Sequence, residues 1–276
     1  MKVWVTGANG MLGREVVKAL AACAIDVVGT GREVDITNAK VVDDFIGPFS
    51  HVINCAAYTS VDACETHEAD AMRVNADGPA NLAHAAGDRI CVHVSTDYVF
   101  PGTSTAPYEP EDLPGPINAY GRTKLAGEAR FHATNAYIVR TSWLFGNGAN
   151  FVATMLRLFG ERDEVKVVDD QRGRPTYAPD FAAALVELAL RHPAAGIYHF
   201  ANAEPTTWYQ LAIATRDEAR ARGRRVANVV PIATRDRPTS VQRPAFSVLS
   251  TTKIERAIGY KPRPWREALA AYFEAI

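Results

Sequence analysis

The chain has little of what marks several large protein classes. Its 276 residues include four cysteines, Cys23, Cys55, Cys64 and Cys91, and no two of them form a C-x-x-C pair. Three fall in apolar or strand-like surroundings, so they read as reduced thiols, not as a zinc site or disulfide framework. Charge of one sign is not in surplus either: 30 Lys and Arg stand against 31 Asp and Glu, a formal net charge of -1. Such a balance gives no global attraction to nucleic acid or to an anionic membrane. No apolar run reaches about 18 residues, so no integral membrane segment is expected. Lys2-Val3-Trp4-Val5-Thr6 follows the first methionine directly, without the charged and apolar regions of a signal peptide. These absences leave a cytoplasmic globular protein as the expectation.

What is present is ordinary globular composition, 47 % apolar and 22 % charged, in a length that suits one large domain or two smaller ones. Residues 2–6 form a short apolar run, compatible with a buried strand. Gly7-Ala8-Asn9-Gly10-Met11-Leu12-Gly13 follows at once, and a helix is expected over 14–24. In this G-x-x-G-x-x-G spacing, the first glycine permits a tight turn and the second a close approach to a pyrophosphate. The third allows close helix–strand packing. The N–H groups at the helix start then face the phosphates. A second strand, 26–29, ends at Thr30-Gly31-Arg32, without the usual acidic residue for an NAD ribose. Arg32 suits a ribose phosphate and tips the choice slightly toward NADPH, while Glu33 and Asp35 keep NADH open. Asp35 and Ile36 are candidates to lie near the adenine.

Another strand, 51–55, leads into Ala56-Ala57-Tyr58-Thr59, small enough for a cofactor to cross close to the backbone. Residues 69–86 read as one amphipathic helix containing Asn75, whose amide either bridges backbones or faces solvent. Strand 90–94 is followed by Ser95-Thr96-Asp97-Tyr98-Val99-Phe100. Hydroxyls at a strand's carboxyl end lie where open α/β sheets bind ligands, so Thr96 or Ser95 can donate to a carbonyl. Residues 101–118 are expected to form a long loop across the cleft mouth, anchored by Tyr108, Leu113 and Ile117. A helix over 119–133 then carries Tyr120 and Lys124, four residues apart and hence on one face. Strands and helices alternate throughout this half, which makes the fold class α/β with a mainly parallel sheet.

The second half continues with a helix at 150–160, a strand at 165–168 and a Gly/Pro segment, Asp169 to Thr176, suited to lining a pocket. Within it, Arg172 and Arg174 are candidate diphosphate ligands. Five arginines between Arg216 and Arg225 lack interleaved aromatics and read as a solvated helix end, not a nucleic-acid surface.

The glycine motif, Asn54-Cys55-Ala56-Ala57, Ser95–Phe100 and Tyr120-x-x-x-Lys124 together resemble an extended short-chain dehydrogenase/reductase. Later segments resemble the dTDP-4-dehydrorhamnose reductase family in particular: Arg140-Thr-Ser-Trp-Leu-Phe-Gly146, Asn150-Phe151-x-x-Thr154-Met155, Asp170-Gln-x-Gly-x-Pro-Thr176, Arg237-Pro238 and Ser247-Val-Leu-Ser250. The likeness runs from about residue 1 to 272. Met11 stands where the family commonly has glutamine, and Cys55 where alanine is usual.

The resemblance implies an extended Rossmann fold, with a doubly wound, mainly parallel sheet and a smaller discontinuous α/β substrate domain. On that basis residues 1–145 form the dinucleotide-binding core and 146–176 a first part of the substrate domain. Residues 177–202 return to the core, and 203–276 belong mainly to the sugar-nucleotide domain. It implies Thr96, Tyr120 and Lys124 as the catalytic set, with Asp97, Tyr98 and Trp143 beside the sugar. The cofactor set spans Gly7, Asn9, Gly10, Met11, Leu12, Gly13, Arg32, Asp35, Ile36, Ala56, Ala57 and Tyr58, together with Tyr120 and Lys124. The implied reaction is NAD(P)H-dependent reduction of the C4 ketone of dTDP-4-dehydro-β-L-rhamnose. The alternatives are another nucleotide-linked 4-keto deoxysugar, or a non-catalytic regulatory subunit of the same fold. The family also binds a metal at a dimer interface. Glu15 matches one acidic position, but Glu187 is followed by Leu188, so no obligatory catalytic metal is expected and a homodimer stays open. In the implied chemistry Tyr120 supplies the proton, Thr96 orients the carbonyl, and Lys124 lowers the phenol's pKa by about 1–3 units.

Overall fold

A computed structural model describes residues 1–131, 134–237, 239 and 241–276. The amino-terminal half alternates strand and helix. It comprises β1 (Lys2–Thr6), α1 (Met11–Ala22), β2 (Asp26–Thr30), α2 (Ala39–Ile46), β3 (His51–Asn54), α3 (Val61–Thr66), α4 (Glu68–Met72), α5 (Gly78–Ala86), β4 (Ile90–Thr96), α6 (Ala119–Glu128) and β5 (Ala136–Thr141). The second half adds β6 (Leu144–Phe145), α7 (Phe151–Glu161), β7 (Glu164–Val168), β8 (Arg172–Gly173), β9 (Thr176–Tyr177) and α8 (Ala178–Arg191). It closes with β10 (Gly196–Phe200), β11 (Thr206–Thr207), α9 (Trp208–Ala221), β12 (Asn228–Ile232), α10 (Thr252–Ile258) and α11 (Trp265–Glu274).

Six strands form one sheet in the order β10-β5-β4-β3-β1-β2, every pairing parallel. Both faces are covered, which is why β1 is apolar at consecutive positions. Val3 and Val5 point into the layer of α1, α8 and α10, with Val16, Leu20, Phe181 and Leu185. Trp4 points the other way, among Val42, Phe49 and Leu82 of the α2/α5 side. The chain leaves β1 toward β2 and then crosses back to β3 on β1's other flank. That reversal opens a crevice at the strands' carboxyl ends, the usual ligand position in an open α/β sheet.

Three two-stranded pairs lie outside this sheet: β6 with β9, β7 with β12, and β8 with β11. A second core, including Phe145, Tyr177, Leu211, Trp265 and Tyr272, holds α9 and α11 against this region. Ile254 and Ile258 of α10 instead pack back into the first core. Among the described residues, no helix is long and apolar enough to cross a membrane.

Two expectations change. The helix foreseen over 69–86 is interrupted: α4 passes through a π-helical turn, Arg73–Asp77, into α5. Asn75 sits in that turn, wholly buried, and bridges backbones. Its Oδ1 accepts from Tyr58 N at 2.8 Å, and its Nδ2 donates to Tyr58 O and Thr123 Oγ1, both at 3.1 Å. The loop over 101–118 is present, but Leu113 does not anchor it, being 88 % exposed. Tyr108 does. Its ring stacks on Phe100 at 4.2 Å, and its hydroxyl accepts the N–H groups of Gly102, Thr103 and Ser104, each at 3.1 Å. One phenol thereby satisfies three consecutive turn amides, which a leucine cannot do.

Candidate active site

The cofactor side of the crevice is made mostly of backbone. Gly7 follows β1 with φ +64°, and a Cβ there would lie 2.6 Å from Ala56 N, at the end of the neighbouring β3. A Cβ on Gly13 would lie 2.2 Å from Gly7 O. Only glycine fits either place, and the turn, the start of α1 and the β3 end are drawn together as a result. Helix α6 is capped by Asn118, α7 by Asn150 and α9 by Thr207, each accepting a backbone N–H. Helix α1 starts at Gly10 without a side-chain cap. Its orphan N–H groups therefore remain for an anion, and this cradle fits a dinucleotide pyrophosphate. The helix begins at Met11, earlier than expected, so Met11, Leu12 and Gly13 offer backbone in its first turn. Leu12's side chain is core, and Asn9 is exposed beside the turn.

At the end of β2 the candidates separate. Arg32 is exposed. Glu33 accepts the Gly31 N–H at 2.5 Å, and that bond holds its carboxyl below the usual range. Asp35 closes its own turn, accepting Thr37 N at 2.9 Å and Thr37 Oγ1 at 2.8 Å. Ile36 is buried in the α2/α5 core. Ala56 and Ala57 are half-buried after β3, with Ala56 N held by Asn54 Oδ1 and Tyr58 held by Asn75.

The reaction side is made of side chains. Strand β4 runs on through Ser95 and Thr96, and α6 crosses its end. The close crossing needs two more glycines: a Cβ on Gly121 would lie 2.1 Å from Tyr98 O, and one on Gly127 2.0 Å from Asn75 O. Thr96 is buried. Its hydroxyl donates to Asp97 Oδ1 at 3.1 Å and accepts Tyr98 N at 3.2 Å. It also lies close enough to the Tyr120 phenol to oppose the rise in that group's pKa. The Tyr120 and Tyr98 rings meet edge-on at 5.7 Å.

Burial raises the Tyr120 pKa above that of a free phenol, with Thr96 opposing the rise. The expected lowering by Lys124 is thus not what this geometry produces: the ammonium is turned to the Val94 carbonyl at 2.7 Å, and desolvation dominates the phenol. Lys124 is 2 % exposed, and burial brings its pKa down to about 8 against the pull of Glu128. Asp97 is also buried, its Oδ2 without a hydrogen-bond partner among the described residues, and desolvation pushes its pKa up to about 7.

Ser95 faces away from this group. Its hydroxyl donates to Glu128 Oε1 at 2.5 Å, and Arg140 grips the same carboxylate through Nε at 2.9 Å and Nη2 at 2.7 Å. Both members of the Glu128–Arg140 pair are 1 % exposed. Nothing in the spacing pointed to Arg140, which lies on another strand.

Trp143 adopts φ +48° and stacks on Trp208 at 3.6 Å, the planes 10° apart. Gly173 lies against the same indole, where a Cβ would come within 2.5 Å. The Trp208 contact went unforeseen, because its distance in sequence hides it. Arg243 bonds Asp62 at 3.0 Å, joining the late segment to α3, and lies close enough to the Tyr98 phenol to oppose the rise in its pKa. Arg174 is committed to Leu249 O at 2.8 Å, while Arg172 is exposed. A groove of about 510 Å³ between α7, β7 and the segment after β12 is lined by Phe151, Met155, Val167 and Arg237, among others. Pro238, the other half of the Arg-Pro motif, lies outside the described residues. Glu187 pairs with Arg191 at 2.6 Å, and Leu188 is core. Among the described residues no three metal-ligating side chains cluster.

A glycine cradle at the switch point of a parallel sheet, with a Tyr-x-x-x-Lys helix crossing the next strand ends, defines an extended short-chain dehydrogenase/reductase. The model of the family described as RmlD substrate binding domain matches residues 1–276. A dTDP-4-dehydrorhamnose reductase of Aggregatibacter actinomycetemcomitans is 41 % identical, covering 97 % of both chains. A dTDP-4-keto-6-deoxy-D-glucose reductase of Streptomyces niveus is also 41 % identical, over 99 % of this chain and 96 % of its own. The crystal structure of the Bacillus anthracis dTDP-4-dehydrorhamnose reductase in complex with NADP superposes with TM-score 0.92 at 35 % identity, covering 100 % and 99 % of the two chains. The chain belongs to the dTDP-4-dehydrorhamnose reductase family.

Proposed function

We propose that this protein reduces the C4 ketone of dTDP-4-dehydro-β-L-rhamnose to dTDP-β-L-rhamnose, with NADPH or NADH as reductant. The observation that carries this reading is the meeting of Thr96, Tyr120 and buried Lys124 at the end of β4, one strand from the cradle of Gly7, Gly10 and Gly13. The nicotinamide cofactor, when bound, supplies the hydride. Gly7, Gly10 and the first N–H groups of α1 would hold its pyrophosphate, and Ala56, Ala57 and Tyr58 would line the rest of its site. Arg32 and Glu33 compete to set the preference between NADPH and NADH.

Tyr120 gives its proton to the carbonyl oxygen. Its raised pKa keeps the phenol protonated until negative charge develops on that oxygen. Thr96 turns its hydroxyl toward the same oxygen and stabilises the forming alkoxide. Lys124, buried one helical turn on, would hold the ribose next to the nicotinamide. Asp97 and Tyr98 meet the sugar hydroxyls, with the unpartnered Asp97 Oδ2 as acceptor. Trp143, braced by Trp208, forms the sugar's apolar wall. The groove at Arg237 takes the nucleotide end. Residues 1–145 and 177–202 make the cofactor side of this division, and most of 146–176 and 203–276 the substrate side. We place the enzyme in the cytoplasm, as a homodimer.

The Streptomyces niveus relative supports a second reading, reduction of a differently configured dTDP-4-keto-6-deoxysugar. Incubating the purified protein with each cofactor and a small panel of nucleotide-linked 4-keto sugars, with product identification by NMR, separates the two. dTDP-β-L-rhamnose as the preferred product supports the first. Another 4-hydroxy sugar favours the second. Absence of turnover on every member contradicts both. Sedimentation of the same sample tests the dimer.

A further inference from the structure

Helix α6 carries Tyr120, Lys124 and Glu128 at successive turns of one face. The third residue is as buried as any in the core, yet it is a carboxylate. It accepts three hydrogen bonds, one from Ser95 and two from Arg140. The rest of the guanidinium is fixed as well. Arg140 Nη1 reaches Pro110 O at 3.3 Å and faces His199 Nε2 at 3.5 Å, and the group lies over the Phe100 ring at 4.9 Å. His199 Nδ1 meets Tyr108 O at 3.1 Å. A carbonyl only accepts, so Nδ1 carries the proton, and the neutral ring presents a bare Nε2 to Arg140. Burial takes the His199 pKa down to about 3, which keeps the ring neutral.

This chain of contacts joins α6, the end of β4, β5, β10 and the mouth segment at Tyr108 and Pro110. A buried ion pair is a poor device for stability alone, since apolar residues of the same volume often do as well or better. What apolar residues cannot supply is a fixed negative charge one helical turn from Lys124. We propose that the Glu128–Arg140 pair is a positioning element for the reaction: it sets α6 against the Ser95–Thr96 strand end and keeps the Lys124 ammonium charged. The proposal rests on the roles given to Tyr120 and Lys124 above.

The groups facing Lys124 are few. Burial lowers its pKa to about 8, Glu128 opposes this most strongly, and Cys55 adds a smaller pull. Cys55 has its own pKa pushed up to about 12, so it is an uncharged thiol at neutral pH. His93, on β4, is held well below the ordinary histidine value by burial and then by Lys124, and is uncharged too. Tyr120 is a neutral phenol. Glu128 is therefore the charged neighbour that counts, and Arg140 is the group that offsets and orients it.

The test compares wild type, Glu128→Gln and the charge-free double variant Glu128→Gln/Arg140→Met. The pH profile of kcat is read at saturating cofactor and sugar nucleotide. In Glu128→Gln, Arg140 is left without its counter-charge, and the alkaline limb is expected to move down by about one pH unit, a tenfold loss of kcat beyond it. The double variant, which lacks the carboxylate as well, is expected to keep the limb below wild type, by less than Glu128→Gln because the Arg140 charge is gone too. A uniform fall of kcat at all pH values in Glu128→Gln, or a double variant whose limb returns fully to wild type, overturns the proposal and leaves the pair a structural brace. A second readout, NMR titration of the 13C-labelled Lys124 side chain with cofactor bound, does not depend on the substrate. If wild type fails to turn over the sugar nucleotide while the Lys124 titration still moves down in Glu128→Gln, the reaction assignment has failed and the pair's action on Lys124 stands. An unmoved titration contradicts the pair's role itself.

Discussion

On the β1–β3 side of the crevice, the surface proposed to hold a cofactor is main chain. Gly7, Gly10 and Gly13 open space, α1 leaves N–H groups uncapped, and Ala56 and Ala57 keep the strand end low. On the β4–β5 side, the site is built of side chains removed from water: Thr96, Asp97, Lys124, Glu128, Arg140 and His199 are all 5 % exposed or less. The first design is tolerant of sequence wherever a Cβ fits and intolerant where it does not. The second depends on each charge having its partner, because an unpaired charge at that depth costs several kcal/mol. A pyrophosphate can be bound by amides that every residue possesses. A proton transfer needs particular functional groups with tuned acidity.

The largest expected effect on this contrast is chemical. Tyr120→Phe should lower kcat by about 10²–10⁴-fold while leaving cofactor affinity nearly unchanged, as checked by steady-state kinetics and a cofactor titration. Equal losses of both would mean that the two sides are not separable. Next is Arg140→Met, which strands Glu128 in the core and should lower unfolding free energy by about 3–5 kcal/mol in urea. On the exposed face, Arg157 and Glu161 also pair at 2.7 Å, and Arg157→Ala should cost at most about 1 kcal/mol. Similar costs for the two pairs would break the argument from burial.

Acid tests the same side without mutation. The folded pKa of His199, about 3, lies below the ordinary value of 6.5, so the unfolded chain binds the extra proton first. Its contribution to stability is complete above about pH 6.5 and is lost as pH falls toward 3, at up to ~1.4 kcal/mol per pH unit. Urea midpoints measured across that window should decline, and more gently in His199→Gln. On the cofactor side a smaller stability change than that of Arg140→Met is expected. Gly13→Ala drives a methyl against Gly7 O and should cost about 1–3 kcal/mol, yet weaken cofactor binding without moving the pH profile of kcat.

The same contrast decides how much could be read from the chain. Glycine spacing, strand–helix alternation and Tyr120–Lys124 are local patterns, so the parallel sheet, the cradle and the helix face were legible. The parts that were not depend on residues far apart. Arg140 meets Glu128 across a strand, His199 joins them from β10, and Trp208 supports Trp143 from a distance of 65 positions. Hydrophobicity alone makes Leu113 a candidate anchor, yet it is exposed. Tyr108 takes that role because a loop also needs its amides satisfied. The π-helical turn at Asn75 was hidden for a similar reason: its polar partners, Tyr58 and Thr123, belong to two other segments.

The central claim is that this crevice joins a cofactor hydride and a Tyr120 proton at one sugar ketone. It is tested most directly by supplying dTDP-4-dehydro-β-L-rhamnose and a nicotinamide cofactor deuterated at the transferable position, then reading the product by NMR. The account predicts dTDP-β-L-rhamnose carrying deuterium at C4, formed one-for-one with cofactor oxidation and almost absent with Tyr120→Phe. Cofactor oxidised without label at C4, or undiminished product from Tyr120→Phe, would contradict it.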